Sequence, residues 1–160
     1  MATKAGKRFK QETVETTVEA AISDARTDLE ELAGEMTDWF DNMPEGLQGS
    51  QTGSTVEEAA NTLGDIQLDV EPPEATHDLE VEYVELRPYG RKPQPRWMRA
   101  SNIGSMLEAT AEVLEGWADG QDAGKREEGE EPDMARSIAS DLRDAASNLE
   151  GVEFPSMYGG

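Results

Sequence analysis

Apolar positions between Thr13 and Phe40 recur at helical spacing. Val18, Ile22, Ala25, Leu29, Leu32, Met36 and Trp39 follow one another at alternating steps of four and three. Such a seam predicts one long helix over 13–40 that packs along a neighbouring helix. Asn42-Met43-Pro44 stops it, and a glycine-rich loop to Gly53 follows. Ser54-Thr55-Val56-Glu57 has the form of a capping box, predicting a second helix to about Ile66 with Val56, Ala59, Ala60, Leu63 and Ile66 inward. Residues 68–76, with Pro72-Pro73, read as a linker. Leu79 to Leu86 alternates and is β-rich, which predicts a strand. Pro88 to Arg91 reads as a turn, and Arg96 to Arg99 as a short returning edge strand, confined there by Pro93 and Pro95. A third helix is expected from Asn102 to Asp119, facing inward with Ile103, Met106, Leu107, Thr110, Leu114 and Trp117. A fourth is expected from Pro132 to Glu150, using Met134, Ile138, Leu142, Ala145 and Leu149.

The two helical pairs align with each other. AGEMTDWFDN (33–42) matches AEVLEGWADG (111–120), placing Trp39 on Trp117. VEEAANTLGDI (56–66) matches LRDAASNLEGV (142–152), placing Leu63 on Leu149. The expected fold is mainly α: a four-helix bundle of two similar helical hairpins with a small β-hairpin between them. Its parts are a basic flexible arm (1–12), a single helical domain (13–151, with hairpins at 13–66 and 102–151 and the β-hairpin at 79–99) and a tail (152–160), from which Phe154 tucks back.

Charge changes this picture. The chain has 160 residues and a formal net charge of −21, with 35 Asp and Glu against 14 Lys and Arg. The distribution is uneven. Residues 1–11 contain Lys4, Lys7, Arg8 and Lys10 and no acid, and residues 86–107 contain Arg87, Arg91, Lys92, Arg96 and Arg99 and no acid. Elsewhere only Arg26, Lys125, Arg126, Arg136 and Arg143 offset the carboxylates. An exterior of this kind repels nucleic acid over most of its area and attracts basic partners. No apolar run approaches the ~20 residues that cross a bilayer, and no secretory signal is evident, so a cytoplasmic location is expected. With no Cys, thiolate and disulfide chemistry are excluded.

DWFDNMPEGLQ (38–48), VEEAANTL (56–63) and the arginine-rich segment beyond residue 86 give the chain a resemblance to uncharacterised small acidic proteins of tailed phages. The resemblance spans roughly residues 30–115. It implies a phage-type context, with the host cytoplasm as location, and no catalytic residue.

Specific chemistries find little footing. Asp119 to Glu130 matches several ligand positions of an EF-hand calcium loop, but Ala123 stands where a ligand is needed and Arg126 where an apolar residue is usual. His77 is the only histidine and has no nucleophile beside it in sequence. Phosphate-loop, dinucleotide and zinc-protease motifs are absent. The expectation is therefore no enzyme, no cofactor and no metal. Two constellations remain. Asp24, Asp28, Glu31, Glu35 and Asp38 form a stripe on the first helix, one carboxylate per ~5 Å, suited to a basic protein partner such as a nucleic-acid-binding host protein. Arg87, Arg91, Lys92, Arg96, Trp97 and Arg99 have the composition of a nucleic-acid-binding hairpin. The same cations could instead neutralise the chain's own carboxylates, or they or the basic arm (1–12) could dock on a second copy in a structural or assembly protein, and these two readings are favoured over nucleic acid.

Overall fold

The computed structural model describes residues 9–90, 93–123 and 130–155. Strand β1 (Phe9–Thr17) leads directly into helix α1 (Val18–Asp41). Then follow a short helix α2 (Glu45–Gln48), α3 (Gln51–Asp65), a 3-10 turn (Glu74–Thr76), β2 (Glu80–Pro88), α4 (Arg96–Ala123) and α5 (Glu130–Glu150). The protein is mainly helical, with one small antiparallel sheet of two strands.

The sheet departs from the predicted β-hairpin at 79–99. β2 pairs with the N-terminal strand, in a register running from Phe9 opposite Pro88 to Thr17 opposite Glu80. Arg96 to Arg99 form the first turn of α4 instead of a returning strand. Pro95 is the physical cause. Its carbonyl accepts from the N–H groups of Met98 and Arg99, both at 3.1 Å, and proline's fixed φ suits a helix start. The missing partner strand comes from residues assigned to the basic arm and to the start of the first helix. Val14 continues the four-residue step to Val18, which masked the boundary. The β-branched run Thr13, Val14, Thr16 and Thr17 nevertheless favours extended backbone. Residues 1–8 of the arm lie outside the described residues.

Thr17 ends the strand and caps the helix: its hydroxyl oxygen accepts from the Ala20 N–H at 3.2 Å. The N–H groups of Val18 and Glu19 donate to the carbonyls of Leu79 and His77, so groups a helix start normally leaves unpaired join α1 to the segment entering β2. α3 begins earlier than the capping box predicted. Ser50 accepts from Gly53 N–H, and a side chain at Gly53 would place its Cβ 2.4 Å from the Leu47 and Gln48 carbonyl oxygens. Only glycine lets α2 fold this closely onto α3.

The core is one cluster. α1 supplies Val18, Ile22, Ala25, Leu29, Leu32 and Met36, as its seam predicted. α3 adds Val56, Ala59 and Leu63, α4 adds Ile103, Leu107 and Leu114, and α5 adds Ile138, Leu142 and Leu149. α4 is the hub, packing on α5, β2 and α1, while α3 lies chiefly on α1. Met134 of α5 was predicted inward and is exposed; its neighbour Ala135 takes the buried position. Val152 and Phe154 pack back on the core, and residues 156–160 of the tail lie outside the described residues.

Asn102 fixes β2 to α4. Its amide oxygen accepts from Leu86 N–H at 2.8 Å and its amide nitrogen donates to Leu86 C=O at 3.0 Å. One buried side chain thus imitates a strand neighbour on the edge of β2 that faces α4.

Candidate interaction surfaces

The acidic stripe of α1 and the basic island meet. Arg96 and Arg99 are three residues apart, so both point from one side of the first turn of α4. Arg99 grips Glu35 with two parallel contacts of 2.9 Å, and Arg96 Nε adds a third at 3.0 Å. Arg96 also lies 5.2 Å from the centre of the Trp39 ring, a cation–π contact. The first turn of α4 contains no acid of its own, so Glu35 supplies the negative charge that a helix N-terminus favours. The Arg99 hydrogen bonds hold the Glu35 carboxyl below its ordinary pKa, against the opposing pull of partial burial.

Two turns earlier the surroundings reverse. Asp28 is half-buried, and its carboxyl is pushed above its ordinary pKa by that burial first, then by Glu31 and Asp24, with Glu85 of β2 adding to them. Arg99 offsets part of this. The Tyr83 hydroxyl is raised in the same way, by burial and then by Glu85, Asp24 and Asp28. Glu31 reaches Arg99 only at 3.9 Å, and Asp24 and Asp38 stay exposed. The five stripe carboxylates therefore share a face without forming one open ridge: Glu35 is already covered by the molecule's own arginines.

The remaining described cations are engaged too. Arg87 bonds Glu85 at 2.7 Å and Glu12 at 3.1 Å, separating two carboxylates that the strand register places opposite each other. Lys10 is 3.6 Å from Glu12, Arg143 is 2.8 Å from Glu115, and Arg136 is 2.9 Å from Asp119. Arg26 donates twice to the Leu68 carbonyl, anchoring the linker. Arg91 and Lys92 lie outside the described residues. Among the described residues no returning strand follows β2, and Arg87, Arg96 and Arg99 are spent on Glu85, Glu12 and Glu35.

Residues 124–129 of the calcium-like loop lie outside the described residues, while Asp119 and Gln121 stand within α4. Among the described residues, no group of three or more His, Cys, Asp or Glu is arranged to hold a metal ion. His77 lies between Glu19, 3.3 Å from its Nδ1, and the Pro72 carbonyl, 3.0 Å from its Nε2, a clasp between the linker and α1. No helix among the described residues is long and apolar enough to cross a membrane.

Two open surfaces were not singled out by sequence. A groove of about 680 Å³ runs along the outer face of α4, between β2 and the end of α5. Val84, Trp97, Gly104, Glu108 and Glu112 are among its walls. The signal in sequence was the run Ser101, Gly104, Ser105, Glu108, Glu112, a helical face without a large apolar side chain. A second cleft, of about 410 Å³, collects Asp65, Asp69, Asp141 and Asp144 from α3, the linker and α5. No family model, curated protein or solved structure matches the chain.

Proposed function

We propose that this protein is a non-catalytic acidic interaction protein that binds a basic protein partner through its carboxylate-rich exterior. The observation that carries the reading is the fate of the cations. Each of the seven described Lys and Arg residues is bonded to one of the chain's own oxygens. Among the described residues, most of the carboxylates on α1, α3, α4 and α5 have no such counter-ion, and the chain's net charge of −21 makes the outer field negative. Internal use of Arg87, Arg96 and Arg99 also counts against the nucleic-acid reading. A partner that itself binds nucleic acid, met in a phage-type setting, fits the same field. The framework presenting it we read as two similar helical hairpins, a reading supported by the half-buried Trp39 and Trp117 and by the Ala59-Ala60 and Ala145-Ala146 pairs, all in or against the core cluster.

The test is capture from cell lysate by the immobilised full chain. Captured proteins should be basic and should elute between about 0.1 M and 1 M salt, as the screening length falls from ~10 to ~3 Å. Neutralising the exposed Asp24, Glu31 and Asp38 together should weaken capture, and Glu35→Gln should not. Partners that are not basic, or that survive the high-salt wash, overturn the reading.

A further inference from the structure

We infer that the α4 groove docks an extended basic segment of the partner, with an apolar anchor at its Trp97 end and cations at its Glu108–Glu112 end. The inference rests on the basic-partner reading and adds to the exposed stripe carboxylates a second contact with the same partner.

Three observations converge on the groove. First, its apolar end is open. Val84 is 45% exposed and Trp97 is 43% exposed, two of the few large hydrophobic side chains left uncovered among the described residues. Trp97 is braced by Phe9, ring centres 5.7 Å apart and edge to face, so it offers a rigid aromatic wall. Second, the floor admits a backbone. Gly104 has nothing within 4 Å of where a Cβ would stand, and Ser101 and Ser105 flank it. Third, the far end is negative and unpaired. Glu108, Glu112 and Glu150 line it, and none is bonded to a cation among the described residues, while Arg143 beside them is held by Glu115 at 2.8 Å.

The layout dictates the ligand's pattern. Trp97 and Glu108 are separated by about 16 Å along α4, and Glu108 and Glu112 by about 6 Å, at the helical rise. An extended peptide advances ~3.3 Å per residue with alternate side chains on one face. An apolar anchor should therefore be followed by a cation at an even step of about four to six positions, which keeps both on one face, and by another cation about two positions later. The Asp65–Asp141 cleft offers charge without an aromatic wall, which makes it the natural control.

The probe is a labelled synthetic decapeptide with one Leu and two Lys at that spacing, titrated by fluorescence anisotropy against the full chain at low salt. Trp97→Ala should weaken binding by about tenfold, in the range of an aromatic anchor. Glu108→Gln with Glu112→Gln should weaken it by roughly fivefold, as for two partly exposed ion pairs. Asp141→Asn with Asp144→Asn should change it less than about twofold. All five positions are at the surface, so unchanged melting curves establish that each variant folds. A loss that follows the Asp141/Asp144 pair and spares the groove variants overturns the docking site and leaves the basic-partner reading standing. Equal, small losses in all variants mean unspecific attraction and also overturn the site. Failure of the probe to bind, alongside salt-sensitive capture of basic proteins, sinks the groove alone; failure of both sinks the underlying reading. A doubled mass in light scattering that Glu108→Gln with Glu112→Gln abolishes would assign the groove to a second copy of the chain, against the partner proposed.

Discussion

Among the carboxylates of helix α1, Asp28 and Glu35 lie two turns apart on the same face, and their surroundings are opposite. Glu35 meets two guanidinium groups and is held ionised. Asp28 meets burial and three other carboxylates and resists ionisation. The helix is the same and the spacing regular; the difference comes from what β2 and α4 bring alongside. A charge stripe in a sequence is therefore a list of possibilities, and each carboxylate's role is assigned by its neighbours across space.

The sharpest way to break this comparison is Asn102→Ala. It strips both hydrogen bonds from Leu86 at a buried position, and the loss should cost about 2–3 kcal/mol in denaturant unfolding. Because Asn102 holds β2 against α4, and β2 holds Glu85 near Asp28, the Asp28 pKa followed by NMR should also fall toward its ordinary value. Next comes Arg99→Ala, which leaves Glu35 with Arg96 alone. Both partners are partly exposed, so the expected loss, after discounting for solvent screening, is about 1 kcal/mol, read from the shift in the unfolding midpoint. Asp28→Asn should act with the opposite sign and stabilise by a few tenths of a kcal/mol, up to about 0.5.

The pH dependence separates the two carboxylates without relying on size. Glu35 has a lowered pKa in the fold. Its stabilisation is fully present above its ordinary value of 4.5 and is lost as pH falls through the lower folded value. Asp28 has a raised pKa, so the folded state holds its proton longer. Stability should decline as pH rises from its ordinary value of 3.8 through the raised folded value. Denaturant unfolding between about pH 2 and 7 should therefore show Arg99→Ala flattening the rise and Asp28→Asn removing the decline. Identical pH profiles for the two variants would show that their surroundings do not differ as described.

Much of the helical framework was legible from periodicity. The seam from Val18 to Trp39 and the face from Ile103 to Trp117 turn inward because a 3.6-residue repeat with apolar steps of three and four has one dry side wherever it packs. Pairing was not legible. β2 was found from its alternation, yet its partner lies more than sixty residues earlier, and no local pattern distinguishes that partner from a nearby returning strand. Pro93 and Pro95 were read as restrictions on a strand when Pro95 in fact opens a helix. Once that turn is helical, Arg96 and Arg99 point together at Glu35. The proposed hairpin and the proposed open ridge are both altered by this one change in backbone conformation.

The sequence by itself determined the middles of the four long helices, most of their dry faces and how heavily acid outweighs base, because these depend on spacing and composition along the chain. Only the tertiary structure decided that the N-terminal strand closes the sheet, that the central arginines are spent on Glu35, Glu85 and Glu12, and that a groove stays open along α4. Ion pairs and grooves need groups distant in sequence to come within a few ångströms, where charge interactions are strong, and that proximity exists only after folding.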